Sequence, residues 1–411
     1  MFIEVSDNLK KLAKYFPEGL YVVGGYVRNQ ILKIPNSDVD LASSVDIEEV
    51  ANRLKDSEFF VKIKNLKFGS VLISIGAESY EYTAFRKESY GDGGRHCPSH
   101  VERTDKIEVD AVRRDFSINA IYYDINKDEI VDYFHGIIDI KQKVIRCTGK
   151  PENILKNDGE RILRMIRFAG ELDFKIDKEA LAGAKKYVSN VADLQGARRF
   201  VELEKILYCD KRYPGTSKGG LKRALKLLNE LGIWQYFDLK SKKIKYDMVF
   251  KCEDRFLGLL VDIVDNEKPE CLETFLDGFL RACLGLNQVL SQKIFVFLAG
   301  YYHALDGMKN KDYFFEFYQE WAQIYQLLGA KSKRIQSKYN FFYQYIIEHG
   351  LVIEISDLAI SEKDIKTHFK NIDSRHYQRI LKNLLSKVFD GRISNDKQSL
   401  LKEIEKNLQN Y

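Results

Sequence analysis

The sequence predicts an α+β fold, with strands confined to about the first 140 residues and an almost wholly helical remainder. Three observations carry this reading. Short apolar runs bounded by glycine and polar turns recur before Ile140: Tyr21–Val23, Phe59–Ile63, Gly69–Gly76 and Ser79–Phe85. Beyond it, apolar residues return at helical spacing, most clearly where Ile162, Leu163, Ile166 and Ala169 share one side. With 411 residues, the chain is long enough for about two to four domains and a substantial core.

The elements follow in order. MFIEVSDNLKKLAKYF is an amphipathic helix pattern without the apolar centre of a signal peptide. The buried-strand pattern at Tyr21–Val23 breaks at Gly24-Gly25, and a short helix with Val27 and Ile31 follows. The chain returns through Pro35-Asn36-Ser37 into a strand expected to carry Asp38-Val39-Asp40. Ile47–Lys55 reads as a helix; in Ser79–Phe85, Tyr80 and Tyr82 share one face, Glu81 and Thr83 the other. Arg86–Lys106, with three glycines, a proline and many charges, reads as a loop. Asp128–Phe134 is the last strand expected before the helices.

Composition excludes little. Lys plus Arg is 65 against 60 for Asp plus Glu, a net charge of +5, so any RNA contact must come from local patches. The six cysteines are scattered without a C-x-x-C pair, which predicts reduced thiols and a cytoplasmic location. No run approaches the ~18 apolar residues of a membrane span. His96-Cys97-Pro98-Ser99-His100 lacks the second ligand pair a zinc site needs.

The chemistry concentrates at three places. Asp38 and Asp40, two residues apart in a strand, project from one face. Two such carboxylates repel unless a cation lies between them, and oxygen-only ligands suit Mg²⁺ with substrate phosphates. Gly24 and Gly25 present bare N–H groups at a helix start, where an anion is favoured. The plain alternatives are a common strand-to-helix turn and an exposed acidic loop; their coincidence in one unit favours a phosphate–metal site. Second, Arg113 and Arg114 in DAVRRDFSINA offer guanidinium forks that match phosphate oxygens, or else cap a helix. Third, Asp158 precedes a helix bearing Arg161, Arg164 and Arg167 on the side away from its apolar residues; N-capping and a solvated basic face are the plain readings.

GGYVRN with DVDLASS, DAVRRDFSINA and NDGERILRMIRF together resemble the signatures of the tRNA nucleotidyltransferase / poly(A) polymerase family, which includes bacterial CCA-adding enzymes. Asn29 and Asn157 depart from the acidic residues usual there. The resemblance implies a nucleotidyltransferase (polymerase-beta-like) head with a small mixed sheet over residues 1–140. A helical neck at 141–212, a body at 213–330 and a tRNA-binding tail at 331–411 are expected to follow. It further implies that Asp38 and Asp40 hold Mg²⁺, with Glu81 as a third acidic residue, and that Gly24, Gly25, Arg28, Arg113 and Arg114 position the triphosphate. Asp92 and Arg95 would be the charged pair of a flexible loop. Asp158 and Arg161 would select the base, supported by Arg164 and Arg167.

That last role makes chemical sense. Cytosine and adenine each offer an amino donor beside a ring-nitrogen acceptor, which a carboxylate and a guanidinium satisfy together. Uracil and guanine would leave buried polar groups unpaired, a mismatch rejected by up to ~10⁴-fold in sites built on hydrogen bonds. The implied activity is template-independent addition of C, C and A to tRNA from CTP and ATP, releasing pyrophosphate. A poly(A) polymerase or an A-adding partial enzyme is the nearest alternative, and a non-catalytic RNA-binding protein the alternative of another class.

Overall fold

The computed structural model describes residues 3–407 except 37, 92–96, 253, 292–293, 296–297, 299–347, 349, 351, 353 and 390. Residues 330–338, whose sequence AKSKRIQSK is a basic run, therefore lie outside the described residues, as do Asp92 and Arg95. Two compact units emerge: Met1–Ile244 with Ala282–Gly285, and Lys245–Arg281 with Leu286–Tyr411.

The first unit opens with α1 (Asp7–Ala13), capped by the Ser6 hydroxyl, which accepts from the Leu9 N–H. The head strands are β1 (Tyr21–Val23), β2 (Asp40–Ser43), β3 (Phe60–Asn65), β4 (Ser70–Ile75) and β5 (Glu78–Ala84), with α2 (Gly25–Leu32) and α3 (Ile47–Leu54) between them. A hairpin, β6 (Arg86–Ser89) and β7 (His100–Arg103), precedes α4 (Ile107–Val112), β8 (Tyr122–Asp124), β9 (Glu129–Val131) and α5 (Gly136–Gln142). Seven strands form one mixed sheet in the order β3-β4-β5-β2-β1-β8-β9. β2 and β5 run parallel and the remaining pairs antiparallel.

Register explains the core. Val71, Tyr82, Leu41, Val22 and Tyr123 are successive partners across five strands and share one buried face. Phe16, entering from beyond α1, packs its ring 5.6 Å from that of Tyr82. On the other face Val23, Ala42 and Tyr122 gather with Phe85 and Ala111.

Four sequence expectations need correction. β2 begins at Asp40, so Asp38 precedes the ladder instead of sharing it. The stretch read as a loop contains the β6–β7 hairpin; its strands RKES and HVER carry no apolar alternation to announce them. Tyr122–Asp124 is a buried three-residue strand too short to show a period, and the strand expected over Asp128–Phe134 is only Glu129–Val131. The helical remainder also holds a small parallel ladder between β10 (Val144–Ile145) and β11 (Lys175–Ile176).

The helices α6 (Pro151–Leu155), α7 (Glu160–Leu172), α8 (Lys178–Tyr187), α9 (Gly196–Leu207), α10 (Cys209–Arg212) and α11 (Gly220–Glu230) complete this unit. α7 is nearly encased: Ile162, Leu163, Met165, Ile166 and Ala169 have no exposed surface. It touches α9, α10 and α11. The approach to α11 is made by two glycines. A Cβ on Gly220 would lie 2.2 Å from the Gly170 carbonyl oxygen, and one on Gly170 2.5 Å from Cys209 Sγ.

In the second unit, the buried Asp262 carboxylate accepts the backbone N–H groups of Asp247, Met248 and Val249 at 2.9–3.1 Å and so ties Arg255–Glu267 to Met248–Lys251. A separate apolar cluster, with Ile365, Ile380, Leu384 and Leu400 at its centre, joins Glu362–His368, Tyr377–Phe389 and Lys397–Lys406. No described helix is long and apolar enough to cross a membrane.

The glycine crossing yields a stability prediction. Gly220→Ala drives a methyl into backbone, which cannot swing aside, and should cost about 1–3 kcal/mol. A urea unfolding curve superimposable on that of the parent chain would contradict the crossing.

Candidate active site

The acid pair lies at the sheet centre. After β1, Gly24 takes φ +73°, and its carbonyl accepts the Arg28 N–H as α2 begins. Asp40 opens β2 beside β1. Asp38, two residues earlier, is 84% exposed, with Arg212 4.0 Å away. Asp40 reaches the solvent of the cleft, yet dense surrounding protein raises its pKa. Arg114 opposes that rise, Glu81 and Asp38 add to it, and Lys64 opposes it. Glu81 is the register partner of Asp40 on β5, so both leave the same face, but its carboxylate is bonded to Lys64 Nζ at 2.7 Å.

Among the described residues, no three acidic, imidazole or thiol groups converge on one point as a ready-made metal site. Asp38 and Asp40 are the side chains here that could hold a cation. All-oxygen donors with coordination left for phosphate and water match the habits of a hard divalent ion.

A cavity of about 1040 Å³ opens beside the pair. It brings together Gly24, Gly25, Arg28, Asp38, Asp40, Arg113, Arg114, Asp158, Arg161, Arg164 and Arg167; Glu81 is not in its lining. Eleven lysines and arginines face six carboxylates around it, so it is built for an anion.

Arg113 and Arg114 share one buried anchor. Asp110, with no exposed surface, accepts from Arg113 Nε at 2.9 Å, Arg114 Nη2 at 3.3 Å and the Tyr122 hydroxyl at 2.6 Å. Burial pushes this carboxyl up, but the two guanidiniums and the hydroxyl outweigh it and hold the pKa at about 2. The arginines thus present fixed forks to the cavity.

The arginines of α7 are not a solvated face. Arg164 pairs with Asp115 at 2.7 Å, and Arg167 bridges Glu202 at 2.9 Å and Glu171 at 3.0 Å. Arg28, Arg164 and Arg167 all lie within 5.3 Å of the Phe168 ring centre. Asp158 does cap, accepting the Glu160 N–H at 2.9 Å, with Gly159 intervening before the helix. Its other oxygen stands 3.3 Å from Arg161 Nε.

Arg161 is held on several sides. It donates to the Arg113 carbonyl at 2.8 Å, the Ile154 carbonyl at 3.3 Å and the Tyr90 hydroxyl at 3.3 Å. The Tyr90 ring lies against the guanidinium, 5.7 Å from its centre, while the Tyr90 hydroxyl donates to Glu88 at 2.7 Å. Sequence reading missed Tyr90, Glu88 and Asp115. Tyr90 and Glu88 stand in a charged stretch without period; Asp115 follows the two arginines directly, and its acidity beside them was the available signal.

Arg28 differs from its neighbours. It is 3% exposed and donates to the Asn29 and Asn119 side-chain oxygens and to the Tyr213 hydroxyl. Each other arginine lining the cavity has a carboxylate within 4.0 Å. Among the described residues Arg28 has none, and burial lowers its pKa. Glu171 and Asp115 act on it only from beyond ion-pair distance, so its burial remains costly and an incoming anion relieves that cost.

The Asp110 anchor predicts acid sensitivity. Its pKa lies below the ordinary 3.8, so its stabilisation is complete above about pH 4 and is lost as the pH falls through 2. Asp110→Asn strips Arg114 of its carboxylate partner and should destabilise the chain by about 3–5 kcal/mol at pH 7. The difference from the parent should shrink between pH 4 and pH 2; a constant difference in unfolding measurements would contradict the assignment.

Comparison with known proteins agrees with this geometry. A family profile described as the poly A polymerase head domain matches residues 20–146, and one described as the probable RNA and SrmB-binding site of polymerase A matches residues 173–240. The CCA-adding enzyme of Lactococcus lactis subsp. cremoris is 28% identical over 423 residues, covering 99% of this chain and 97% of that protein. The Bacillus stearothermophilus CCA-adding enzyme in complex with CTP shares the fold with a TM-score of 0.57 at 20% identity, over 98% of both chains. The Thermotoga maritima CCA-adding enzyme complexed with tRNA gives 0.56 at 20% identity, over 98% of this chain and 96% of that one. Both domain profiles match in order and a relative aligns from end to end, so this chain is similar to CCA-adding enzymes along its whole length.

Proposed function

We propose that this protein adds C, C and A to the 3′ end of tRNA from CTP and ATP without a nucleic-acid template, releasing pyrophosphate. The observation that carries the reading is the Asp158–Arg161 pair, buried at 1% and 7% exposure, in the cavity that also holds the acid pair and the arginine cluster. A carboxylate acceptor beside a guanidinium donor fits the pairing edges of cytosine and adenine, and burial makes a mismatch costly.

The residues divide the work. Asp38 and Asp40 would hold Mg²⁺, which when bound lowers the pKa of the primer 3′-hydroxyl and offsets charge on the triphosphate. Glu81 joins that cluster only by releasing Lys64. Arg28 supplies a positive charge with no carboxylate in direct contact among the described residues, and Arg113 and Arg114 add forks fixed by Asp110, so the phosphates are gripped without reorganisation. Gly24 and Gly25 leave room for phosphate at the start of α2. Arg164 and Arg167, locked by Asp115, Glu171 and Glu202, brace the helix that bears the base-reading Arg161. Tyr90 links Arg161 to the β6–β7 hairpin, and residues 92–96, which lie between those strands in sequence and include Asp92 and Arg95, are the proposed adjuster between C and A addition.

The test is a gel assay with Mg²⁺ and tRNA transcripts lacking CCA, CA or A, given CTP and ATP singly and together, with a generic RNA as control. Completion of all three transcripts is expected, with CTP required before ATP for those lacking CCA or CA and ATP alone sufficing for the one lacking A. Asp40→Asn should lower transfer by at least about 10³-fold while CTP binding persists. Long ATP-only tails would indicate a poly(A) polymerase, growth confined to the last step an A-adding enzyme, and RNA binding without transfer a non-catalytic protein.

A further inference from the structure

The cavity accounts for the incoming nucleotide but not for the approach of the polyanion whose 3′-hydroxyl must reach Asp38 and Asp40. The face of the head sheet outward from Asp40 is open, and its register is explicit. Asp40, Glu81, Leu72 and Lys62 are successive partners across β2, β5, β4 and β3, so their side chains stand in one row on one face. The next row on that face is Ser79, Ser74 and Phe60. Strands lie about 4.8 Å apart, which puts Lys62 roughly 14 Å from Asp40 along the row.

The composition of this face is unusual for the exposed margin of a sheet. β3 is an edge strand, and Phe60 is 76% exposed on it. Lys62 is exposed beside Phe60, and Lys64, at the irregularity between Ile63 and Asn65, reaches back to Glu81 at 2.7 Å. Glu81, the carboxylate these two rows carry beyond Asp40, is thereby neutralised. An exposed aromatic ring beside the Lys62 ammonium, on a face continuous with the acid pair and with its Glu81 charge cancelled, matches what single-stranded RNA needs: a base-stacking platform and a phosphate contact. Edge lysines also discourage pairing with another sheet, but that role calls for neither the exposed ring nor the alignment with Asp40.

We propose that this face is a shelf for the single-stranded 3′ end of the RNA substrate, with Lys62 holding its phosphates, Lys64 masking the Glu81 charge and Phe60 stacking one of its bases. The proposal rests on the nucleotidyl-transfer reading above. It adds a primer-binding surface in the head itself, separate from the cavity that takes the triphosphate.

Phe60→Ala and Lys62→Glu in the full-length chain test it, since both side chains are exposed and neither touches the cavity. With a tRNA transcript lacking CCA as primer, each should raise KM for the RNA about tenfold, with kcat and KM for CTP within about twofold of the parent. Lys62→Glu should also reduce the slope of log KM against log salt by about 0.7. Lys10→Glu, which makes the same charge change on α1, should leave KM for the RNA unchanged. An RNA KM within twofold of the parent in both shelf variants, or an equal rise in Lys10→Glu, overturns the shelf. If the parent chain transfers nothing, the catalytic reading fails by itself. Fluorescence anisotropy of labelled RNA without nucleotide then judges the shelf: tenfold weaker binding by the variants supports it, and unchanged binding overturns it.

Discussion

Burial of so many guanidinium groups around one cavity is the constraint on which the rest of the first unit depends. Left unpaired, such groups would repel one another and lose hydration at a cost no small core could offset. The chain meets this with carboxylates drawn from separate elements: Asp110 from α4, Asp115 from the turn after it, Asp158 ahead of α7, and Glu202 from α9. The Asp110 and Asp158 pairs are local, whereas two others also tie one element to another. Arg164–Asp115 joins the helical region to the head, and Arg167–Glu202 joins α7 to α9. Electrostatic neutralisation and tertiary structure are one arrangement here.

Arg28 marks where that arrangement is left incomplete. Its contacts are amide oxygens and a phenol, which orient the guanidinium without cancelling its charge. The sheet supplies the other half. β1 delivers the Gly24–Gly25 turn and its neighbour β2, at the sheet centre, the Asp40 carboxylate, so anion-seeking and cation-seeking groups meet across a single pair of strands. In the proposed nucleotidyl transfer from a triphosphate to an RNA 3′-hydroxyl, with pyrophosphate leaving, the charge that develops on the phosphates would be met by groups already held in place beside the bound metal.

Much of this was legible in the sequence, for identifiable reasons. β1, β4 and β5 carry apolar alternation or runs, and α7 has a clean helical period; all four stand near their expected limits. The residues singled out from the signatures meet in one cavity, with the exception of Glu81 and of the two lying outside the described residues. What escaped was fixed by tertiary contact. The β6–β7 hairpin is all polar and charged, so pairing rather than periodicity defines it. The cover that Tyr90 forms over Arg161 joins positions 71 apart in sequence, which no local pattern encodes. Asp38 left the strand because the ladder begins where β1 offers a partner to Asp40, a matter of where β1 ends.

The central claim is that the protein side chains themselves choose the base. Its most direct test is equilibrium binding of CTP, ATP, UTP and GTP to the RNA-free protein in the presence of Mg²⁺, followed by calorimetry. The account predicts that CTP and ATP bind at least about tenfold more tightly than UTP and GTP, since only their pairing edges satisfy Asp158 and Arg161 together. Equal binding of all four would show that the triphosphate alone is recognised, and would contradict it.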